Sequence, residues 1–301
     1  MTTSPVNTLD ALRAVLTAPE PQQDALYRQR VLEPLRPVWE GLLRSAPPTG
    51  DPAMTAARVM KLYRPEHGAA RGLEAAAQVE AAGVVAACLA AVRHAGDTLR
   101  PAEHGVHLPP LHVAVTLAEP GGLGADGVTG AANVPGWVLL SLWPQRLPDG
   151  TWNHTKLPAI AAHEFHHAVR FAQPDWTVSM TLGAYLVAEG LAEVFAAELH
   201  GEASLGSWTT TLREADLRAL APRYGAVLDD RDFTTVRGYI FGDSVMREYG
   251  GHRDLGVPPY AGYALGYHVV RDFLRRSGRT VEQATYLPWR EIAAGSGWFG
   301  A

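Results

Sequence analysis

The sequence predicts an α+β protein, predominantly α, with one small β-sheet among many helices. Three observations predict it. Apolar residues recur at three- and four-residue intervals from Thr8 to about Gly96 and again from about Leu157 onward, the period of helices with a buried side. Between these stretches, Leu111 to Leu117 and Trp137 to Trp143 are compact runs of strand-forming residues. Pro- and Gly-containing breaks punctuate the periodic segments at helix-length intervals.

In chain order, Pro19 to Pro21, Pro47-Pro48 to Pro52, and Pro65 divide the first third into several helices. The clearest is Ala-rich, Leu73 to Val92, with Gly72 before it and Gly96 after. Residues 1–105 are thus expected to form an N-terminal helical region. Its His67, His94 and His104 are scattered and carry no chemical constellation. The most apolar stretch, Gly83 to Val92, falls well short of the roughly 20 residues that cross a bilayer and reads as a buried helix. Between the two expected strands lies Gly122-Leu123-Gly124-Ala125-Asp126-Gly127, a GxGxxG match. A dinucleotide site needs a helix to open straight after it, yet Val128-Thr129-Gly130 and Asn133 to Gly136 continue as turn chemistry. From Leu157 the chain is mostly helical, with breaks around Pro174, Gly201 to Gly206, Asp229 to Asp232, and Gly250 to Pro259.

Composition narrows the function classes. With 301 residues, 47% hydrophobic and 19% charged, the chain can bury a full-sized core. A formal charge of -5 gives no general attraction for nucleic acid or an anionic membrane, so neither is expected as a partner. The single cysteine, Cys88, excludes an intrachain disulfide framework and any all-cysteine metal site, and reads as a small core residue. The N-terminal stretch shows no secretory-signal pattern, so the cytoplasm is the expected address and the sequon at Asn153 carries little weight.

The chemistry begins at His163-Glu164-Phe165-His166-His167, an HExxH sequence in a predicted helix with Pro158 in its first turn. At roughly 100° per residue, His163 and His167 differ by about 40° and Glu164 lies about 60° from His167. Two imidazoles and a carboxylate therefore share one face, with Ala161, Phe165, Ala168 and Ala172 as the apolar face behind. That grouping suits a divalent metal with an acid beside it. The bland alternative is a polar helix surface.

A second feature stands about 20 residues on. In Leu186 to Phe195, Glu189 and Glu193 lie at i and i+4 inside an otherwise apolar helix. Buried carboxylates are costly unless paired or bound to a cation. A zinc site meets that demand: Glu189 becomes the third protein ligand beside His163 and His167, leaving the fourth position for water. Glu193, one turn on, then fixes a ligand imidazole's tautomer. The two acids with exchanged roles, or both facing solvent, are the alternatives.

Together, His163 to His167 and Glu189-Gly190-Leu191-Ala192-Glu193 resemble the gluzincin metallopeptidases. With Gly262-Tyr263-Ala264-Leu265-Gly266-Tyr267 downstream, the chain is similar to a bacterial family of predicted zinc-dependent proteases of otherwise undefined function, over roughly Leu111 to Leu274. The resemblance implies a zincin-like metallopeptidase fold for residues 106–301, a small sheet with an active-site helix, and peptidase activity on a peptide or protein substrate. Zinc would lower the pKa of its water, and Glu164 would act as general base and pass the proton to the leaving amine.

An oxyanion donor is expected among Tyr260, Tyr263 and Tyr267, with His268 and Arg237 behind them. Tyr263 is favoured because Gly262 and Gly266 leave space around it, although Tyr263, Tyr267, Val270 and Leu274 also read as a core stripe. His166 is expected as a hydrogen-bonding neighbour of the site, and His200 as near the pocket or merely packed. The strand Trp137 to Leu142 is a candidate edge for pairing with an extended peptide. The competing function is a non-catalytic or structural metal-binding protein with a peptide-binding groove. Against it stands Glu164, since a structural site needs no base beside an open coordination position.

Overall fold

Four strands form one sheet: β1 (Thr3–Val6), β2 (Leu111–Leu117), β3 (Val128–Ala131) and β4 (Trp137–Leu142), in the order β1-β2-β4-β3. The computed structural model describes residues 2–43, 50–173, 176, 180–248 and 253–300. Pro47, Pro48, Pro174 and Gly250, named above as breaks, lie outside them. β1, β2 and β4 run parallel, and β3 returns antiparallel along β4. Strands β2 and β4 are the two predicted from sequence. Their near-continuous apolar runs are buried along almost their whole length, as parallel strands covered on both faces are. Where polar residues interrupt them, Thr116 and Ser141 pair across the strands, with hydroxyls 2.8 Å apart.

The other two strands were not expected. β1 adds a strand to a region read as helical, with Pro5 on an edge where a missing N–H does least harm. β3 replaces the turn chemistry expected at Val128 to Gly130. The Gly-rich loop before it runs into this strand rather than into a helix, so the GxGxxG match lacks the helix N-terminus that it needs.

Helices make up most of the remainder. The N-terminal set is α1 (Thr8–Leu16), α2 (Glu20–Tyr27), α3 (Arg36–Leu43), α4 (Pro52–Val59), α5 (Ala69–Ala81) and α6 (Val84–Leu99). The single helix expected over Leu73 to Val92 is in fact two, because Gly83 takes φ +64° and ends α5 there. Then come α7 (Leu157–Phe171), α8 (Leu182–His200), α9 (Ser207–Thr210), α10 (Glu214–Gly225), α11 (Phe233–Phe241) and α12 (Asp243–Glu248). α13 (Ala261–Ser277), α14 (Val281–Ala284) and α15 (Trp289–Ser296) complete the chain. The fold is α+β and mainly α, with a small mixed sheet.

The chain divides into two compact units, Met1–Asp97 with Leu108–Ala168, and Thr98–His107 with Val169–Ala301. The first holds the sheet. The second has a core of α8, α10, α11 and α13 residues, including Leu186, Tyr224, Ile240 and Leu265, and the Tyr224 hydroxyl donates to the Tyr239 carbonyl at 2.6 Å. Cys88 is fully buried, and burial pushes its thiol up to about 12. Among the described residues no single helix is long and apolar enough to cross a membrane. Ala69–Ala81 and Val84–His104 pass that test only as a pair bent by 49°.

Candidate metal centre

Helix α7 is anchored at its start by one side chain. Asn153 is fully buried; its amide nitrogen donates to the carbonyls of Asp126, Gly127 and Trp143 at 3.0, 3.2 and 2.8 Å, and its oxygen accepts from the Gln145 N–H at 3.0 Å. This clamp joins the chain just before β3 and just after β4 to the turn that opens α7, where Pro158 occupies a position needing no N–H. It also consumes the amide that the sequon reading would leave to a glycan.

The HExxH turn is deep. His163, Glu164, His166 and His167 are 8%, 6%, 0% and 5% exposed. The rings of His163 and His167, one turn apart, meet with centroids 4.6 Å apart and planes at 88°. The expected two-faced helix is instead buried on nearly every side. Of its proposed apolar face, Ala161 and Phe165 are buried but Ala168 only partly, and Ala172 lies exposed beyond the helix end.

Helix α8 begins where Thr181 caps it, its hydroxyl accepting from the Ala184 N–H at 3.1 Å. The next amides, of Leu182 and Gly183, donate to the carbonyls of Asp230 and Leu228. The helix is buried over most of its length, and Glu189 and Glu193 are each 3% exposed, which rules out the solvent-facing alternative. Glu193 accepts a 2.6 Å hydrogen bond from the indole N–H of Trp208 on α9. α8 and α13 touch backbone to backbone: a Cβ on Gly190 would lie 2.1 Å from the Gly266 carbonyl oxygen, and one on Gly266 2.4 Å from that of Leu186. Gly262 packs in the same way against Ile240 and Tyr239. Gly262 and Gly266 therefore serve close helix crossings, which corrects the idea that they make room for Tyr263.

Among the described residues, His163, His167 and Glu189 form the one group of three or more His, Cys, Asp or Glu side chains that could hold a metal ion. They offer one donor atom each, all within 4.8 Å of one another, and all three residues are buried. Two imidazole nitrogens and one carboxylate oxygen make a three-ligand set that suits zinc and leaves a coordination position over. His166 is not in the group.

The other candidate residues have these surroundings. Tyr263 is half-buried in an aromatic cluster, its ring 6.0 Å from that of Tyr260 and 5.8 Å from Phe241. Arg237 stacks on Phe241 with its Cζ 4.7 Å from the ring centroid. The Tyr267 hydroxyl donates to Glu202 at 3.4 Å, and His268 lies beside Arg271 and Glu214. His200 ends α8, half-buried. Strand β4, expected as the free edge, is interior; β3 is the edge on that side. Sequence reasoning missed the roles of Trp208 and Asn153: Trp208 belongs to no spaced motif, and Asn153 reads only as a sequon.

Residues 95–294, two thirds of the chain, match the family described as Predicted Zn-dependent protease (DUF2268). The chain belongs to this family. Its zinc dependence and proteolysis are family-level predictions, and the match extends beyond Leu111 to Leu274 at both ends. The chain is also similar to the uncharacterized protein YjfC of Bacillus subtilis (strain 168), 29% identical over 297 residues and 97% of each chain. That likeness takes in the N-terminal third as well. The uncharacterized protein YjaZ of the same organism is 27% identical over 136 residues, 43% of this chain and 47% of its own. No solved structure matches the chain significantly.

Proposed function

We propose that the protein is a zinc-dependent peptidase of gluzincin type with a zincin-like fold, hydrolysing peptide bonds in a peptide or protein substrate. The observation that carries this reading is the convergence of His163, His167 and Glu189, with Glu164 next to a ligand on the same helix. His163, His167 and Glu189 would hold zinc, which would supply Lewis acidity and make water a stronger acid near neutral pH. Glu164 takes a proton from the attacking water at a carboxylate oxygen and passes it to the amine nitrogen as the C–N bond breaks. Tyr263 donates its phenolic hydrogen to the scissile carbonyl oxygen as negative charge develops there. Glu193, steadied by Trp208, fixes the tautomer of a ligand imidazole, and His166 hydrogen-bonds at the margin of the site.

Strand β3 supports the same reading. It lies at an edge of the sheet, and an extended peptide would pair along it. The deciding experiment measures zinc per purified chain and hydrolysis of an unfolded protein substrate. About one zinc is expected, with hydrolysis lost in Glu164→Gln while the metal stays. Native protein without stoichiometric zinc, or a Glu164→Gln variant as active as the native chain, overturns the proposal.

A further inference from the structure

Gly130 sits in the middle of β3, and its backbone gives no reason for a glycine. The neighbouring Gly121, Gly124, Gly127 and Gly136 all take positive φ, whereas Gly130 does not. In an ordinary strand conformation alanine is preferred, because glycine loses more freedom on folding and packs nothing. What excludes a side chain is Glu164. A Cβ at position 130 would lie 2.5 Å from Glu164 Cγ, 2.6 Å from its Oε1 and 2.9 Å from its Cδ.

The strand is held more firmly than the side chain, so the Glu164 carboxylate is what must move. Glu164 is 6% exposed and sits in the interior of α7. Gly130 is paired with Leu140 of β4, and Asn153 holds the carbonyls of Asp126 and Gly127 just upstream. The alternation along the strand agrees: Val128, on the same face as Gly130, is buried, whereas Thr129 between them is exposed.

We propose that Gly130 is a positioning residue for Glu164: the bare stretch of β3 is the seat of this carboxylate, and any side chain there displaces it. The inference rests on Glu164 being the proton carrier of the proposed peptidase. Proton transfer needs the carboxylate within hydrogen-bond reach of water and amine, and a displacement of about 1 Å lowers the rate on the order of 10²-fold.

The test combines Gly130→Ala with three residues at position 164. In the native background, Gly130→Ala is expected to keep about one zinc per chain, lower the thermal midpoint, and reduce kcat roughly 10²-fold with KM within about twofold. With Glu164→Ala, which removes the obstructing atoms, Gly130→Ala no longer lowers the midpoint. With Glu164→Asp, whose carboxylate is drawn back by one methylene, Gly130→Ala lowers kcat by less than about threefold. An equal midpoint loss in the native and Glu164→Ala backgrounds overturns the proposal, as does a fully active Gly130→Ala. If the native chain hydrolyses nothing, the peptidase reading falls by itself, and the midpoint comparison still decides whether Gly130 seats Glu164.

Discussion

Gly190 of α8 and Gly266 of α13 meet so closely that neither admits a side chain, and Glu189 is the residue next to that contact. The first obstacle to Gly190→Ala is a backbone carbonyl at 2.1 Å, which cannot rotate aside as a side chain can. The variant is expected to lose about 3 kcal/mol or more of stability. Because α8 must shift, zinc should bind less tightly as well. Urea denaturation and a zinc competition titration read the two effects.

Metal removal should destabilise the chain, since only the folded state brings His163, His167 and Glu189 together. With free zinc at a thousand times its Kd, linkage contributes about 4 kcal/mol, equivalent to a fall in Tm on the order of 10 °C on adding chelator. Glu189→Gln should melt near the chelated temperature and respond little to chelator. Scanning calorimetry with and without chelator decides this.

Trp208→Phe keeps most of the ring but removes the N–H that Glu193 accepts. A buried carboxylate that loses such a donor is expected to cost about 1.5 to 3 kcal/mol. If Glu193 also steadies a ligand histidine, zinc affinity should fall about 10- to 100-fold. A melt unchanged from native would show that this hydrogen bond contributes nothing.

At position 153, size and charge should separate. Asn153→Ala leaves three carbonyls and one N–H without this partner, an expected loss of about 3 kcal/mol. Asn153→Asp keeps the shape but turns a carboxylate oxygen toward those carbonyls, so it should be the more damaging of the two. Thermal melts of both variants rank them.

Acid should weaken the fold through His268. Burial, with Arg271 and Arg218 nearby, holds its imidazole below the usual histidine range, while Glu214 and Asp272 oppose the shift. A depressed histidine pKa means that the unfolded chain binds the proton more readily. The contribution is full above about pH 6.5 and is lost as pH falls from there through the folded-state pKa. His268→Gln should flatten that part of a stability-against-pH curve, read as the difference between native and variant measured under identical conditions, so that groups common to both cancel.

Much of the centre was legible because its signals are local. His163, Glu164 and His167 fall within five residues, and two acids in an apolar helix are conspicuous at any distance. The missed features depend on tertiary partners or on weak local patterns. β3 is Val-Thr-Gly-Ala, too short and too small in its side chains to show a strand period, and β1 carries a proline. Gly83 ends a helix within a run whose Ala-rich composition favours continuing one. The burial of α7 on almost all sides is set by segments distant in sequence, and Gly266 reads as empty space until the helix that fills it is known.

The sheet also has a bearing on how the molecule assembles during translation. Ser4 on β1 lies beside His112 on β2, 108 positions later, with its hydroxyl oxygen 3.1 Å from that imidazole's Nδ1. Synthesis therefore delivers β1 long before β2, with the sequence of α1 to α6 lying between them. Such distant pairing slows folding, so β1 joins the sheet only after a large loop has closed.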